Sequence, residues 1–173
     1  MARLPVVPIS ELPAELANAV ERGLRSRMLS STLAVQVWAH RPQLALAWLN
    51  TIEQMHAHGV LDDRLRELVR LKIASITSCR GCQVARKSDR VSEEDIACLS
   101  TDDRRFTPAE RAAMRYAQTF ASDPLDVDDA MFDELKCWFD TPQIVELNMF
   151  CALMLAGGRM TFVQRAYEEE KTA

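Results

Sequence analysis

Apolar residues along this chain recur every three or four positions, and almost nowhere every second one. Leu44, Ala47, Trp48, Thr51, Ile52 and Met55 fall on one face of a helix that Pro42 opens at its first position and Gly59 ends. Leu65, Leu68, Val69, Lys72, Ile73 and Ile76 repeat the pattern over about Arg64 to Ile76, with Asp62 as the N-cap. Earlier helices are predicted from Pro13 to Met28 and near Leu33 to His40, the second stopped by Pro42. After a short break at Thr77-Ser78, a helix is predicted from about Arg80 to Arg90.

Further on, Ser92-Glu-Glu-Asp95 resembles a capping box with Asp in the Glu/Gln place, and Thr107-Pro-Ala-Glu110 is a full one. The latter opens a helix to about Ala121 that carries Ala113, Tyr116, Ala117 and Phe120 on one face. Helices are also predicted over Asp126 to Phe139, and from Thr141-Pro142 toward Tyr167, where Gly157-Gly158 marks a kink or a close approach. Residues 1–9 read as an extended arm. No stretch alternates between turn signals as a strand would. The expectation is an all-α, single-domain helical bundle spanning residues 1–173.

Composition narrows the partners. The chain has 173 residues, enough for one domain with a sizeable core. A net charge of −4 and the absence of a basic run argue against nucleic acid. The start, Met1-Ala-Arg-Leu-Pro5, lacks the apolar run of a signal peptide. Apolar runs such as Ala152 to Ala156 fall far short of the roughly 20 residues that span a bilayer. A cytoplasmic protein without a membrane partner is therefore expected. Five cysteines, an odd number, argue against a disulfide framework.

The candidate chemistry lies at Cys79-Arg80-Gly81-Cys82, with Glu67 twelve residues before Cys79 on the preceding helix. This spacing allows a small disulfide ring, half of a metal site, or two packed thiols. In a reducing compartment such a pair is more often catalytic or metal-binding than a permanent staple. At a helix start, unpaired N–H groups and the macrodipole would stabilise a thiolate, and Arg80 and Arg86 add positive charge. Zinc needs four ligands and the pair supplies two; the one-residue gap between His56 and His58 matches no usual finger spacing. Glu67 could accept a thiol proton, or could pair with Arg64, Arg70 or Lys72 on a solvated face. Cys98, Cys137 and Cys151 stand alone in apolar patterns and read as packed thiols. His40, at a helix junction, could line a pocket or cap a helix, while His56 and His58 suit a helix end.

The stretch from Leu61 through Glu67 to Cys79-Arg-Gly-Cys82 resembles the carboxymuconolactone decarboxylase and alkylhydroperoxidase D-like family. The segments Ser92-Glu-Glu-Asp-Ile96, Phe106-Thr-Pro-Ala-Glu-Arg-Ala-Ala113 and Phe139 to Leu147 are similar to its later helices, and His40-Arg-Pro42 to an upstream one. The resemblance covers about residues 30–167. It implies an all-α fold, a homo-oligomer (trimer or hexamer), no cofactor, and reduction of hydroperoxides or disulfides through the cysteine pair. Cys82 would be the peroxidatic thiol, Cys79 the resolving one, and Glu67 the start of a proton relay. A thiol reductant of unknown identity would restore the pair.

The chain departs from the family pattern at Arg86, where the peroxidases carry a His, and at Gly81, where some members carry a second one. Arg stays protonated and cannot act as a base, though it can support a thiolate. His40, His56 and His58 are candidates for a rerouted relay. The decarboxylase branch generally lacks the cysteine pair. The reading is thus a thiol-dependent oxidoreductase acting on a hydroperoxide or other small molecule. The alternatives are a redox-sensing or ligand-binding oligomer without turnover, and a non-redox enzyme that uses Glu67.

Overall fold

The computed structural model describes residues 1–101 and 103–167 and, among these, contains helices and no strand. The helices are α1 (Ala14–Arg25), α2 (Leu33–Trp38), α3 (Pro42–His58), α4 (Asp63–Ile76), α5 (Arg80–Val84), α6 (Glu93–Cys98), α7 (Pro108–Ser122), α8 (Asp129–Lys136) and α9 (Thr141–Gln164). Single 3₁₀ turns cover Ile9–Glu11 and Pro124–Asp126. The described residues form two compact units, residues 59–158 and residues 1–58 with residues 159–167.

In the unit of residues 59–158, α4 is the central element. Its faces bury Leu65, Leu68, Val69, Leu71, Ile73 and Ala74, together with Glu67 and Arg70. One side packs on α7 and joins Phe106, Met114 and Val91 in a core cluster. Asp62 caps α4 by accepting hydrogen bonds from the backbone N–H groups of Arg64 and Leu65. Arg64 then ties the α4 start to α6 and α7, through Asp95 at 2.8 Å and Glu110 at 2.7 Å. Both capping boxes form, Ser92 with Asp95 and Thr107 with Glu110. Asp in the third position therefore serves as Glu would, since its carboxylate still reaches the Ser92 N–H at 3.1 Å.

The other unit is built on α1, α2 and α3, whose core includes Leu16, Ala19, Val20, Val35, Ala45 and Leu49. An Arg22–Glu53 pair with two contacts joins α1 to α3 at the surface. The N-terminal arm has few internal bonds but is pinned by its neighbours. Val7 N–H donates to Gln36 O at 3.2 Å, and Gln36 Nε2 returns a bond to Val7 O at 3.0 Å. Arg3 N–H donates to Gln164 O at 2.8 Å.

Several boundaries differ from the periodicity. The expected helix Arg80–Arg90 stops at Val84, and the one expected from Asp126 begins at Asp129. In the second case Asp123 accepts from Leu125 N–H and holds a 3₁₀ turn, and Asp128 caps the helix by accepting from Met131 N–H. The first helix ends at Arg25, three residues early, where Arg27 takes a left-handed φ of 60°. Helix α9 is continuous through Gly157-Gly158. It is also longer and more apolar than the short runs implied, with 24 residues and a hydropathy of 1.2, enough by length and composition to cross a bilayer. Leu147, Phe150 and Cys151 on its inner face are buried, and Glu146 accepts from the N–H groups of Val60 and Leu61.

Candidate active site: the cysteine pair on the end of α4

Thr77 closes α4, and Ser78 turns the chain with a φ of 54°, a left-handed value uncommon for a residue with a Cβ. That turn sends Cys79-Arg-Gly-Cys82 back beside the helix it follows. Gln83 secures the return by donating from Nε2 to Ala74 O at 3.0 Å. Cys79 and Cys82 are joined as a disulfide with a Cα–Cα separation of 5.2 Å, an ordinary distance for such a bridge. Cys79 is fully buried, and Cys82 is half-buried.

The pair rests on an internal ion pair. Arg70 meets Glu67 with two parallel hydrogen bonds, Nε to Oε2 and Nη2 to Oε1, both 2.7 Å. Glu67 is 2 % exposed and Arg70 7 %, so both charges sit inside the unit. This corrects one expectation: Glu67 does pair with Arg70, but in the interior and not on a solvated face. The remaining donors of Arg70 hold the cysteine segment, Nη1 on Cys82 O at 2.6 Å and Nη2 on Ala85 O at 2.7 Å. Glu67 accepts a further bond from Lys87 N–H at 3.0 Å. One carboxylate and one guanidinium thus fix the backbone from Cys82 to Lys87.

That capture explains why α5 is only five residues long. Ala85 O is taken by Arg70 and Arg86, and Lys87 N–H by Glu67, so the groups that would continue the helix are already bonded. A one-turn helix carries little dipole, which removes most of the helix-end stabilisation expected for a thiolate. Arg86 is directed to Glu93, with contacts of 2.8 and 2.9 Å, and to the carbonyl oxygens of Gln83 and Ala85. The hydrogen bond to Glu93 raises its pKa further above the ordinary value.

Lys87 is the residue the sequence reading missed. Its side chain is half-buried, and loss of solvation, reinforced by the charge of Arg70 and opposed by Glu67, lowers its pKa to about 8. Nothing in its local pattern marks it, because the burial and the neighbouring charge come from α4. His40 lies in the other unit, with Nε2 bonded to Pro5 O at 2.9 Å. His56 and His58 end α3. Cys151 is buried, which pushes its thiol up to about 12, and Cys137 is exposed. Cys98 donates to Asp103 at 2.9 Å. Among the described residues no three His, Cys, Asp or Glu side chains converge as a metal site.

The model of the carboxymuconolactone decarboxylase family matches residues 42–119, which include Glu67 and both cysteines. YnjA of Escherichia coli K12 is 30% identical over 165 residues, covering 88% of this chain and 87% of its own. The chain belongs to the carboxymuconolactone decarboxylase family. Two solved members of the same fold extend the likeness over nearly the whole chain. An alkylhydroperoxidase D core protein from Ralstonia eutropha JMP134, described as peroxidase-related, aligns with a TM-score of 0.75 and 18% identity, covering 98% of this chain and 93% of its own. The debrominase Bmp8, crystallised with 2,3,4-tribromopyrrole, aligns with a TM-score of 0.83 and 16% identity, covering 96% and 91%. The all-α architecture is therefore that of the alkylhydroperoxidase D-like proteins.

Proposed function

We propose that the protein is a thiol-dependent oxidoreductase that reduces hydroperoxides, with Cys82 as the attacking thiol and Cys79 as the resolving one. The observation that carries this reading is a bonded cysteine pair of unequal exposure. Cys82 is the accessible partner and Cys79 the buried one, which suits attack by the first and resolution by the second. In the reduced protein, the Cys82 thiolate attacks the terminal peroxide oxygen. The O–O bond breaks, an alcohol leaves with one proton, and Cys82 becomes a sulfenic acid. Cys79 then attacks the Cys82 sulfur and expels water, closing the disulfide. A dithiol reductant opens it again by exchange.

Glu67 is tied on both oxygens by Arg70, so its role here is to hold the site in place. Lys87, whose amine burial brings down to about 8, belongs to the same charge cluster and is the proton carrier of this proposal. A cytoplasmic location fits a disulfide that is a turnover state, since thiols there are kept reduced. Self-association fits α9, whose outward side leaves Val145 and Met149 each 53% exposed. The fold also serves a debrominase, so the residues around the pair set the substrate, and the fold does not.

The test is peptide mapping of the reduced protein after one equivalent of hydrogen peroxide, followed by turnover assays with a dithiol. The expected result is a Cys79–Cys82 disulfide that reductant reverses, with turnover lost in Cys82→Ser. Thiols that remain reduced, or full turnover in Cys82→Ser, would overturn the assignment.

A further inference from the structure

The unit built on α1 to α3 contains a groove of about 500 Å³ that the thiol chemistry does not use. This volume is typical of small-molecule sites, about 300–1,000 Å³. Its walls come from the N-terminal arm, the α2–α3 junction, the first turns of α3 and the last turns of α9. Trp38 and Trp48 meet edge to face at 6.1 Å, and Leu44 and Met160 extend the apolar surface. Leu44 is 60% exposed, so this surface is open and uncovered.

The polar groups of the groove are already ordered, with one exception. Trp38 Nε1 donates to Gln164 Oε1 at 2.8 Å, so the indole presents only its apolar faces. His40 Nε2 donates to Pro5 O at 2.9 Å and pins the arm that forms one wall. Arg41 is exposed beside them, and no ion pair holds it among the described residues. A lone guanidinium at the mouth of an apolar groove, on a chain of net charge −4, is a local reversal of sign. Its planar fork matches a carboxylate bidentately.

We infer that this groove binds an amphiphilic carboxylic acid, with its apolar body against Trp38, Trp48, Leu44 and Met160 and its carboxylate on Arg41. The site stands independently of the peroxidase reading, because it uses neither cysteine nor Glu67.

Trp38 and Trp48 make the groove its own reporter once the third tryptophan is removed by Trp138→Phe. In that background decanoate, added below its aggregation threshold, is expected to change the indole emission saturably. Decanol, which lacks the charge, should bind roughly tenfold more weakly, as should decanoate to Arg41→Gln. Leu44→Glu, a change at an exposed position, should abolish the response. Isothermal calorimetry on the unmodified protein gives the same comparison without relying on fluorescence. Absence of saturation up to millimolar decanoate by both methods would overturn the proposal. So would equal decanoate affinity in Arg41→Gln and its parent.

Discussion

At the scale of single residues, Glu67 and Arg70 show why a buried charge needs its partner. Their mutual attraction offsets the loss of water only because each nitrogen of the Arg70 guanidinium and both oxygens of Glu67 are also hydrogen-bonded. Glu67→Gln removes one charge and leaves the other in the interior. It should lower stability by about 3 kcal/mol in denaturant unfolding, the usual cost of breaking a buried pair. Lys87 carries the opposite sign of effect. Its folded pKa of about 8 lies below the ordinary 10.5, so the unfolded chain binds its proton more tightly. Below pH 8 the folded state bears the full cost of that buried charge. The cost fades as pH rises from 8 to 10.5. The stability of Lys87→Met relative to the parent should therefore be highest at neutral pH and fall across this window. A pH-independent difference in melting temperature would refute the assignment. That Glu67 matters was legible from its distance to the cysteines. Its local pattern offers Arg64, Arg70 and Lys72 equally as partners, and only burial by the rest of the unit selects Arg70.

At the scale of elements, helices that carry their own end signals are legible in the sequence. Asp62, Ser92 and Thr107 cap where the sequence placed them because a cap is a local contract between a side chain and N–H groups two or three residues on. Helix α5 is shorter than its periodicity predicts because its end is set by Arg70 and Glu67 from another helix, and no local pattern records that. The close approach expected at the glycine pair is real at Gly158. A Cβ there would lie 2.8 Å from Thr77 Oγ1 and 3.2 Å from its Cβ, against the end of α4 that leads into the cysteines. Gly158→Ala would ordinarily gain about 1 kcal/mol in a helix. Here Thr77 is hemmed in by its own hydrogen bond to Ile73 O at 3.0 Å and cannot yield freely. Overpacking of about 1–3 kcal/mol should outweigh the gain. The substitution should thus be net destabilising, and Thr77→Ala should restore much of the loss in a double-mutant cycle. Strict additivity of the two changes would show that the contact does not govern the effect.

At the scale of the whole molecule, α9 poses a problem that one copy of the chain does not solve. Its inner side buries Leu147, Phe150 and Cys151, yet Val145, Met149, Ala152 and Ala156 all lie exposed on it. Those four fall at steps of four, three and four, the spacing of a helix–helix seam. The small side chains of Ala152 and Ala156 would let another helix approach closely. Periodicity alone could not expose this, because a helix that is apolar all round has no preferred face until the fold selects one. The self-association proposed above therefore has a definite address. Sedimentation should give a mass that is a multiple of 19.6 kDa, and Met149→Glu should dissociate it, because a carboxylate cannot be buried unpaired in such a seam. The helical circular dichroism should stay unchanged, since Met149 is 53% exposed in the single chain. A monomeric parent protein would remove the need for a seam altogether. An assembly that survives Met149→Glu intact would move the interface to another face and leave this apolar stripe without the role argued for it.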